Sequence, residues 1–135
     1  MMPRILIIED SRPDSLTERV FAQGRTVLTD AEIESAFNLT DGLLRLREVH
    51  FDAVVLDLGL PESFGIETLM TLRKEFPEVG VVVVTGSVDM KVWEQCIKKG
   101  HEYLSKVPQG NMIMLPNLLQ QSIWRAEEEV TRKGV

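Results

Sequence analysis

The sequence predicts an α/β fold in which a five-stranded parallel sheet is covered by helices on both faces. Short apolar runs rich in valine and isoleucine alternate with amphipathic helical stretches along the chain. Two of these runs, Ile5–Ile8 and Val81–Val84, are apolar at every position, which is typical of strands buried on both faces. The 135 residues fit one compact domain, and an apolar content of 44% is enough for a core.

The first two strands have different patterns. Residues Arg4–Ile8 are predicted to form a central strand, and a helix capped by Ser11 is predicted to follow it. For the second strand we prefer Ala31–Ala36 to the alternative Arg25–Thr29. The glutamates of the preferred segment alternate with less polar residues, as in an edge strand with one wet side.

The rest of the chain continues the alternation with four more helices and three more strands. Asn38 is suited to cap the second helix, and Leu39, Leu43 and Leu46 then form its buried stripe. The later helices are predicted at Gly65–Phe76, Asp89–Lys99 and from about Pro116 onward. The later strands are predicted at Asp52–Asp57, Val79–Thr85 and Tyr103–Ser105.

Composition excludes several functions. The net charge is −6 and the fifteen basic residues are scattered, which argues against direct binding of nucleic acid. The apolar runs are too short to cross a bilayer, and the start has no signal-peptide pattern, so a cytoplasmic location is expected. The lone Cys96 cannot form an intrachain disulfide. Its helical pattern favours a core position over a nucleophilic role.

Polar side chains stand where the predicted strands end. Glu9 and Asp10 follow the first strand, Asp57 ends the third, Thr85 the fourth, and Lys106 follows the fifth. In an open parallel sheet, ligands bind at this carboxyl edge. Crowded carboxylates repel each other, and Mg²⁺ would relieve the repulsion. A carboxylate nucleophile, a hydroxyl and a lysine then make a set suited to phosphoryl transfer.

Four short motifs at these strand ends resemble the response-regulator receiver family. They are Ile-Ile-Glu-Asp-Ser at 7–11, Val-Val-Leu-Asp-Leu-Gly-Leu-Pro at 54–61, Val-Val-Thr-Gly at 83–86 and Tyr-Leu-Ser-Lys at 103–106. Their order and placement make the resemblance specific, and it covers about residues 4–130. It implies a flavodoxin-like fold with strand order 2-1-3-4-5.

The resemblance implies a role for each strand-end residue. Asp57 would be the phosphoacceptor. The metal, Mg²⁺ or Mn²⁺, would be held by Glu9, Asp10, Asp57 and the backbone carbonyl of Gly59. Thr85 and Lys106 would contact the phosphoryl group, and Tyr103 would be the aromatic ring that reorients with the switch.

A receiver of this kind is not an enzyme toward other substrates. It would accept phosphate from a sensor histidine kinase or a histidine phosphotransfer protein. The face made by the fourth helix, fifth strand and fifth helix would then change. We expect one receiver domain over residues 1–135 and no effector domain. If Trp93 and Trp124 are exposed rather than partly buried in the core, we expect a homodimer or a downstream partner to bind that face.

The sequence departs from the family in the loop after Lys106. Val107 stands where the family usually has proline, and Pro108 follows, so a trans bond is expected after Lys106. This leaves room for a receiver-like docking scaffold that accepts no phosphate. An aspartate-nucleophile phosphatase of the haloacid-dehalogenase type is a weaker alternative, because it needs a second acid at the position of Gly59. A dinucleotide-binding domain is disfavoured, because no Gly-x-Gly-x-x-Gly follows a strand.

Overall fold

A computed structural model describes residues 3–9, 31–58, 60, 65–85, 90–98, 102–105 and 114–133. Within these ranges the chain forms one five-stranded parallel sheet of order β2-β1-β3-β4-β5, as predicted. The strands are β1 Arg4–Ile8, β2 Glu32–Ala36, β3 Ala53–Asp57, β4 Gly80–Thr85 and β5 Glu102–Ser105. The described helices are α1 Leu39–Glu48, α2 Ile66–Glu75, α3 Met90–Lys98 and α4 Leu115–Lys133. The helix predicted after Ser11 lies outside the described residues, as does the alternative strand Arg25–Thr29.

The second strand lies at the edge of the sheet, in the segment that the alternation of its glutamates predicts. Its two glutamates form ion pairs with arginines of neighbouring elements. Glu32 lies 2.9 Å from the Arg4 guanidinium, and Glu34 lies 2.6 Å from that of Arg45 in α1. Glu34 is half-buried rather than fully exposed.

The start of α1 follows the predicted capping pattern. The side-chain oxygen of Asn38 accepts a hydrogen bond of 2.8 Å from the backbone N–H of Asp41, and the Asn38 amide donates to the Asp41 carboxylate at 3.0 Å. The bond from the Asp41 N–H satisfies a backbone donor that the first helical turn leaves free. The predicted stripe faces the sheet: Leu46 is buried, and Leu39 and Leu43 are partly buried against the core.

Two apolar cores lie on opposite faces of the sheet. Side chains at alternating strand positions divide between them, because successive residues of a strand point to opposite faces. One core joins Leu6, Ile8, Val54, Leu56, Val81 and Val83 to α1, α2 and α3. The other joins Ile5, Ile7, Ala53, Val55, Val82 and Val84 to Leu115, Leu119 and Ile123 of α4. Cys96 is fully buried in the first core, which confirms its predicted core position.

The predicted helix boundaries agree with the structure to within a few residues. Gly65, at φ 63°, precedes α2, a conformation that glycine adopts without strain. The last helix begins at Leu115, one residue before the predicted Pro116, and reaches Lys133. None of the helices in the described part of the chain is both long and apolar enough to span a membrane.

Candidate functional site

Three of the predicted site residues lie at the carboxyl edge of neighbouring strands. Glu9 directly follows β1, Asp57 is the last residue of β3, and Thr85 is the last residue of β4. Since β1, β3 and β4 are adjacent and parallel, these ends meet at one edge of the sheet. Of the expected positions, Asp10, Gly59 and Lys106 lie outside the described residues.

Glu9 and Asp57 occupy equivalent positions on adjacent strands. The preceding residues, Ile8 and Leu56, are paired in the parallel ladder of β1 and β3. Neighbouring strands lie about 4.8 Å apart, so the two acidic residues leave the sheet side by side. Side chains alternate between the two faces of the sheet along each strand. Glu9 and Asp57 therefore both begin on the same face as Ile7, which packs on the α4 side.

Backbone hydrogen bonds fix both acidic residues at the ends of their strands. The N–H of Glu9 donates to the carbonyl of Ala36 at 3.0 Å, which ties the end of β1 to β2. The N–H of Leu58, next to Asp57, donates to the carbonyl of Val84 at 3.1 Å, which ties the end of β3 to β4. The sequence carries no signal for the bond of Leu58, because that bond depends on the register of two strands.

Both carboxylates are buried, an unusual state for acidic residues. Glu9 is 4% exposed and Asp57 is 6% exposed. Buried carboxylates are costly unless hydrogen bonds or cations stabilise them. Each makes further contacts within the protein. Two neighbouring acids with oxygen donors suit a hard cation such as Mg²⁺ better than a soft metal.

The described residues supply only part of a metal site. They contain no group of three or more His, Cys, Asp or Glu side chains close enough to hold a metal ion. The third carboxylate expected there, Asp10, and the Gly59 carbonyl lie outside them. The chemistry of Glu9 and Asp57 therefore fits the expected metal, and the rest of its ligands stay a prediction.

Thr85 and Tyr103 lie on the same face of two neighbouring strands. Thr85 pairs with Ser105 in the ladder of β4 and β5, and Tyr103 comes two residues before Ser105. Residues two apart in a strand share a face, so Tyr103 lies diagonally beside Thr85. Both side chains are half-buried, and the Tyr103 ring packs against the core on the α3 side. The predicted hydroxyl and aromatic ring are therefore brought together.

Four large apolar side chains in α3, in α4 or directly before α4 are exposed. Trp93 and Trp124 are 40% and 58% exposed. The alternative in which both rings are partly buried in the core is therefore wrong. Met90 and Met114 are more than half exposed. Nothing in the sequence singles out Met114, because it stands before the predicted helix start and belongs to no apolar stripe. Exposed apolar side chains of this size are typical of binding surfaces.

This fold and site define a doubly wound α/β domain with buried acids at the carboxyl edge of its sheet. The model of the response regulator receiver domain matches residues 5–114, so the chain belongs to this family. It is a receiver domain of two-component signalling.

Curated relatives agree with the family. The chain is 30% identical over 98 residues to the probable C4-dicarboxylate response regulator DctR of Bacillus subtilis, covering 72% of this chain and 42% of DctR. It is 30% identical over 142 aligned positions to protein-glutamate methylesterase/protein-glutamine glutaminase 2 of Methanosarcina mazei, covering 98% of this chain and 34% of that protein. The chain thus spans less than half the length of these relatives.

Solved structures agree with the fold. A CheY-like receiver domain protein of Methanospirillum hungatei superposes with a TM-score of 0.73 at 23% identity, over 96% of this chain and 99% of that one. The signal receiver domain of an HD domain-containing protein of Pseudomonas fluorescens superposes with a TM-score of 0.77 at 24% identity, over 97% and 93%. At these identities the likeness supports the fold alone.

Proposed function

We propose that this receiver accepts a phosphoryl group on Asp57 from a phosphohistidine of a sensor histidine kinase or a histidine phosphotransfer protein. The observation that carries the proposal is the burial of Asp57 beside Glu9 at the carboxyl edge of adjacent strands. An acid held this way by backbone bonds to its neighbours is positioned for reaction rather than solvated.

The reaction transfers a phosphoryl group from the imidazole nitrogen of a phosphohistidine to a carboxylate oxygen of Asp57. A carboxylate oxygen of Asp57 forms the new P–O bond as the P–N bond to the donor imidazole breaks, and the imidazole nitrogen keeps the electron pair and takes up a proton from solvent water. The carboxylate must be ionised to act as nucleophile. Phosphoryl transfer otherwise depends on positioning and on neutralising charge.

A divalent cation, Mg²⁺ or Mn²⁺, is the cofactor we assign to this site. Asp57, Asp10 and the Gly59 carbonyl would hold it directly, with Glu9 as the second member of the acidic pair. When bound, the metal supplies positive charge against the carboxylates and the incoming phosphoryl oxygens. Lys106 would hold another phosphoryl oxygen as a point charge, and Thr85 would donate a hydrogen bond from its hydroxyl.

The proposed switch couples the phosphoryl group to the face made by α3, β5 and α4, the fourth and fifth helices predicted from the sequence. Movement of the Thr85 hydroxyl toward the phosphoryl group removes a neighbour of Tyr103, which lies diagonally beside it. The ring can then reorient and change the exposed surface near Met90 and Trp93. A homodimer or a downstream effector would bind this surface. We assign residues 1–135 to a single receiver domain.

Intact mass spectrometry after incubation with acetyl phosphate tests the proposal. We expect a gain of one phosphoryl group that requires both Mg²⁺ and Asp57, so Asp57→Asn should gain none. Asp52→Asn is a matched control, because Asp52 stands just before the same strand at its opposite end, where it accepts a hydrogen bond from the Arg4 N–H at 2.8 Å. The control should be phosphorylated like the natural chain.

A folded protein that gains no phosphoryl group with Mg²⁺ present would contradict the proposal. It would favour the docking scaffold that Val107 leaves open. Manganese provides a separate test of the metal site, since Mn²⁺ broadens the NMR signals of nearby nuclei. We expect much stronger broadening at Glu9 and Asp57 than at Asp52, since paramagnetic broadening falls steeply with distance from the metal.

A further inference from the structure

A second recess lies at the amino edge of the sheet, opposite the predicted phosphorylation site. It is a cavity of about 700 Å³. Its walls come from Phe51 and Asp52 before β3, Pro77 and Val79 before β4, and the second half of α4. Asp52 and Asp57 are five residues apart in an extended strand, so the cavity and the phosphorylation site are separated by about 17 Å.

The cavity exists because α4 continues beyond the sheet. Gly80, the first residue of β4, lies directly under Ser122, whose hydroxyl also donates to the Val81 carbonyl at 3.3 Å. Eleven further residues of α4, from Ile123 to Lys133, follow that crossing point. At 1.5 Å per residue they extend for about 16 Å. Ile123 and Ala126 in this part of the helix line the cavity.

The opposite wall is held in place by Arg73, whose side chain is half-buried. Nη1 of Arg73 donates to the carbonyls of Phe76, Pro77 and Val79 at 3.2, 2.9 and 2.6 Å. Burial of the guanidinium lowers the pKa of Arg73 to about 10. These bonds fix the turn before β4, so the cavity is preformed rather than opened by a ligand.

The lining combines an apolar floor with acidic side chains. Phe51, Phe76 and Ile123 supply apolar surface, and four carboxylates, Asp52, Glu75, Glu78 and Glu127, are also part of the lining. Among the described residues that line the cavity there is no lysine or arginine.

The carboxylates differ in how far they are already neutralised. Glu75 is paired with Arg47 of α1, and Asp52 lies 3.4 Å from a nitrogen of the exposed His50. Glu78 and Glu127 form no ion pair with another described residue. The lining therefore keeps a negative charge that a cationic partner would complement.

The shape of the recess favours an elongated partner. A shallower depression of about 520 Å³ adjoins the cavity and shares Glu127 and Thr131 with it. The second depression is lined by Trp124, which is 58% exposed, and by Glu128. Together the two recesses follow α4 from Ile123 to Thr131, about 12 Å or two helical turns. A compact cation would fill only part of this length.

We propose that this recess binds a basic amphipathic helix of a partner protein. An apolar side chain of that helix enters the cavity between Phe51, Phe76 and Ala126, and its lysines or arginines face Glu78 and Glu127. Binding of this kind uses a helix in a groove, with apolar anchors giving affinity and charges giving specificity. Because the recess lies at the opposite edge from Asp57, binding does not require phosphorylation.

The test uses a fluorescein-labelled amphipathic helical peptide made of leucine and lysine. Fluorescence anisotropy of the peptide measures binding, and NMR chemical shifts of the full chain show where the peptide binds. We expect binding with shifts centred on Phe51, Phe76 and Ala126. The double reversal Glu78→Lys with Glu127→Lys should weaken binding at least about tenfold, or about 1.4 kcal/mol. The matched control Glu67→Lys with Glu94→Lys, on exposed positions of α2 and α3, changes the net charge equally and should bind as the natural chain does.

Two further variants test the cavity and the phosphorylation site separately. Ala126→Phe fills the cavity and should abolish binding while far-ultraviolet circular dichroism shows a folded protein. Asp57→Asn should bind the peptide normally, so failure of the phosphorylation proposal would leave this result unchanged.

Three results would overturn the inference. Equal loss in the Glu67/Glu94 control would show general charge attraction. Peptide shifts confined to the α3–β5 surface would place the binding elsewhere. Competition by spermidine, with shifts on the same cavity residues as the peptide and at comparable concentration, would indicate a site for a small polycation.

Discussion

Gly80 at the start of β4 lies in contact with the backbone of Ser122 in α4. A Cβ atom on Gly80 would come within 2.8 Å of the Ser122 carbonyl oxygen and 2.9 Å of its carbonyl carbon. Real side chains do not approach backbone this closely, so only glycine lets α4 lie this near the sheet. The contact also marks the point after which α4 continues beyond the sheet.

We predict that Gly80→Ala lowers the free energy of unfolding by about 1–3 kcal/mol, because the helix must move away from the sheet. Urea denaturation followed by circular dichroism measures this. Ser122→Ala should not rescue the variant, since the two closest atoms belong to the backbone and alanine keeps the Cβ atom that lies 3.1 Å away. A rescue would show that the Ser122 hydroxyl causes the conflict.

Gly42 in α1 has a similar contact with a different kind of neighbour. A Cβ there would lie 2.5 Å from Cδ1 of Ile8, the far end of a side chain. We predict that Gly42→Ala destabilises the natural chain, because overpacking outweighs the gain of about 1 kcal/mol in helix propensity. In an Ile8→Val background, which lacks Cδ1 but keeps the Cγ carbon that would lie 2.9 Å from the new Cβ, the same change should cost less. Equal effects in the two backgrounds would contradict a conflict with Cδ1.

The buried thiol of Cys96 should be unreactive in the folded protein. Burial raises its pKa to about 11, so little thiolate forms at pH 8, and the side chain is fully buried. We expect negligible labelling by Ellman's reagent in buffer and complete labelling in urea. The control Cys96→Ser with Glu94→Cys moves the thiol to an exposed position on the same helix and should react at once. Rapid labelling of the natural chain would show that α3 opens readily.

The ion pair of Glu34 and Arg45 should contribute to stability only above acidic pH. The hydrogen bond from Arg45 lowers the pKa of Glu34 below its ordinary value of 4.5. The folded state therefore favours the ionised form. The contribution is present above about pH 4.5 and is lost as the pH falls through the lowered value.

Glu34→Gln measures that contribution. Because both side chains of the pair are more than a third exposed, the loss at pH 7 should be below about 1 kcal/mol. The difference from the natural chain should shrink as the pH falls below about 4.5 through the lowered pKa of Glu34. A difference that does not change with falling pH would show that the effect of the variant is not electrostatic.

The strands could be predicted from the sequence because each has its own pattern of apolar residues. Val81–Val84 is apolar throughout and lies inside the sheet, with a strand on each side, while the segment with Glu32 and Glu34 lies at the edge. Helix starts followed from capping residues such as Asn38. These signals are local, so a single sequence contains them.

Features that depend on distant contacts could not be predicted in the same way. Nothing near Gly80 indicates that Ser122 will cover it, and nothing near Glu127 indicates a cavity lined by Phe51. The exposure of Trp124 depends on how α4 is rotated against the sheet. At the candidate site, the sequence indicated which residues end the strands, but not that Glu9 and Asp57 would both be buried.

The diagonal placement of Thr85 beside Tyr103 on neighbouring strands allows a direct test of the proposed switch. Tyr103 is the only tyrosine of the chain, so selective ¹³C labelling of tyrosine gives the ring signals of this residue alone. We predict that adding Mg²⁺ and beryllofluoride, a phosphoryl analogue, shifts these signals in the natural chain. In Thr85→Ala the analogue should still bind, seen by ¹⁹F NMR, but the Tyr103 signals should stay in place because the hydroxyl that couples them is gone. Thr71→Ala, which removes an exposed hydroxyl of α2, should respond as the natural chain does. A Tyr103 shift that survives Thr85→Ala would show that the ring responds to Asp57 by a route that does not involve this hydroxyl.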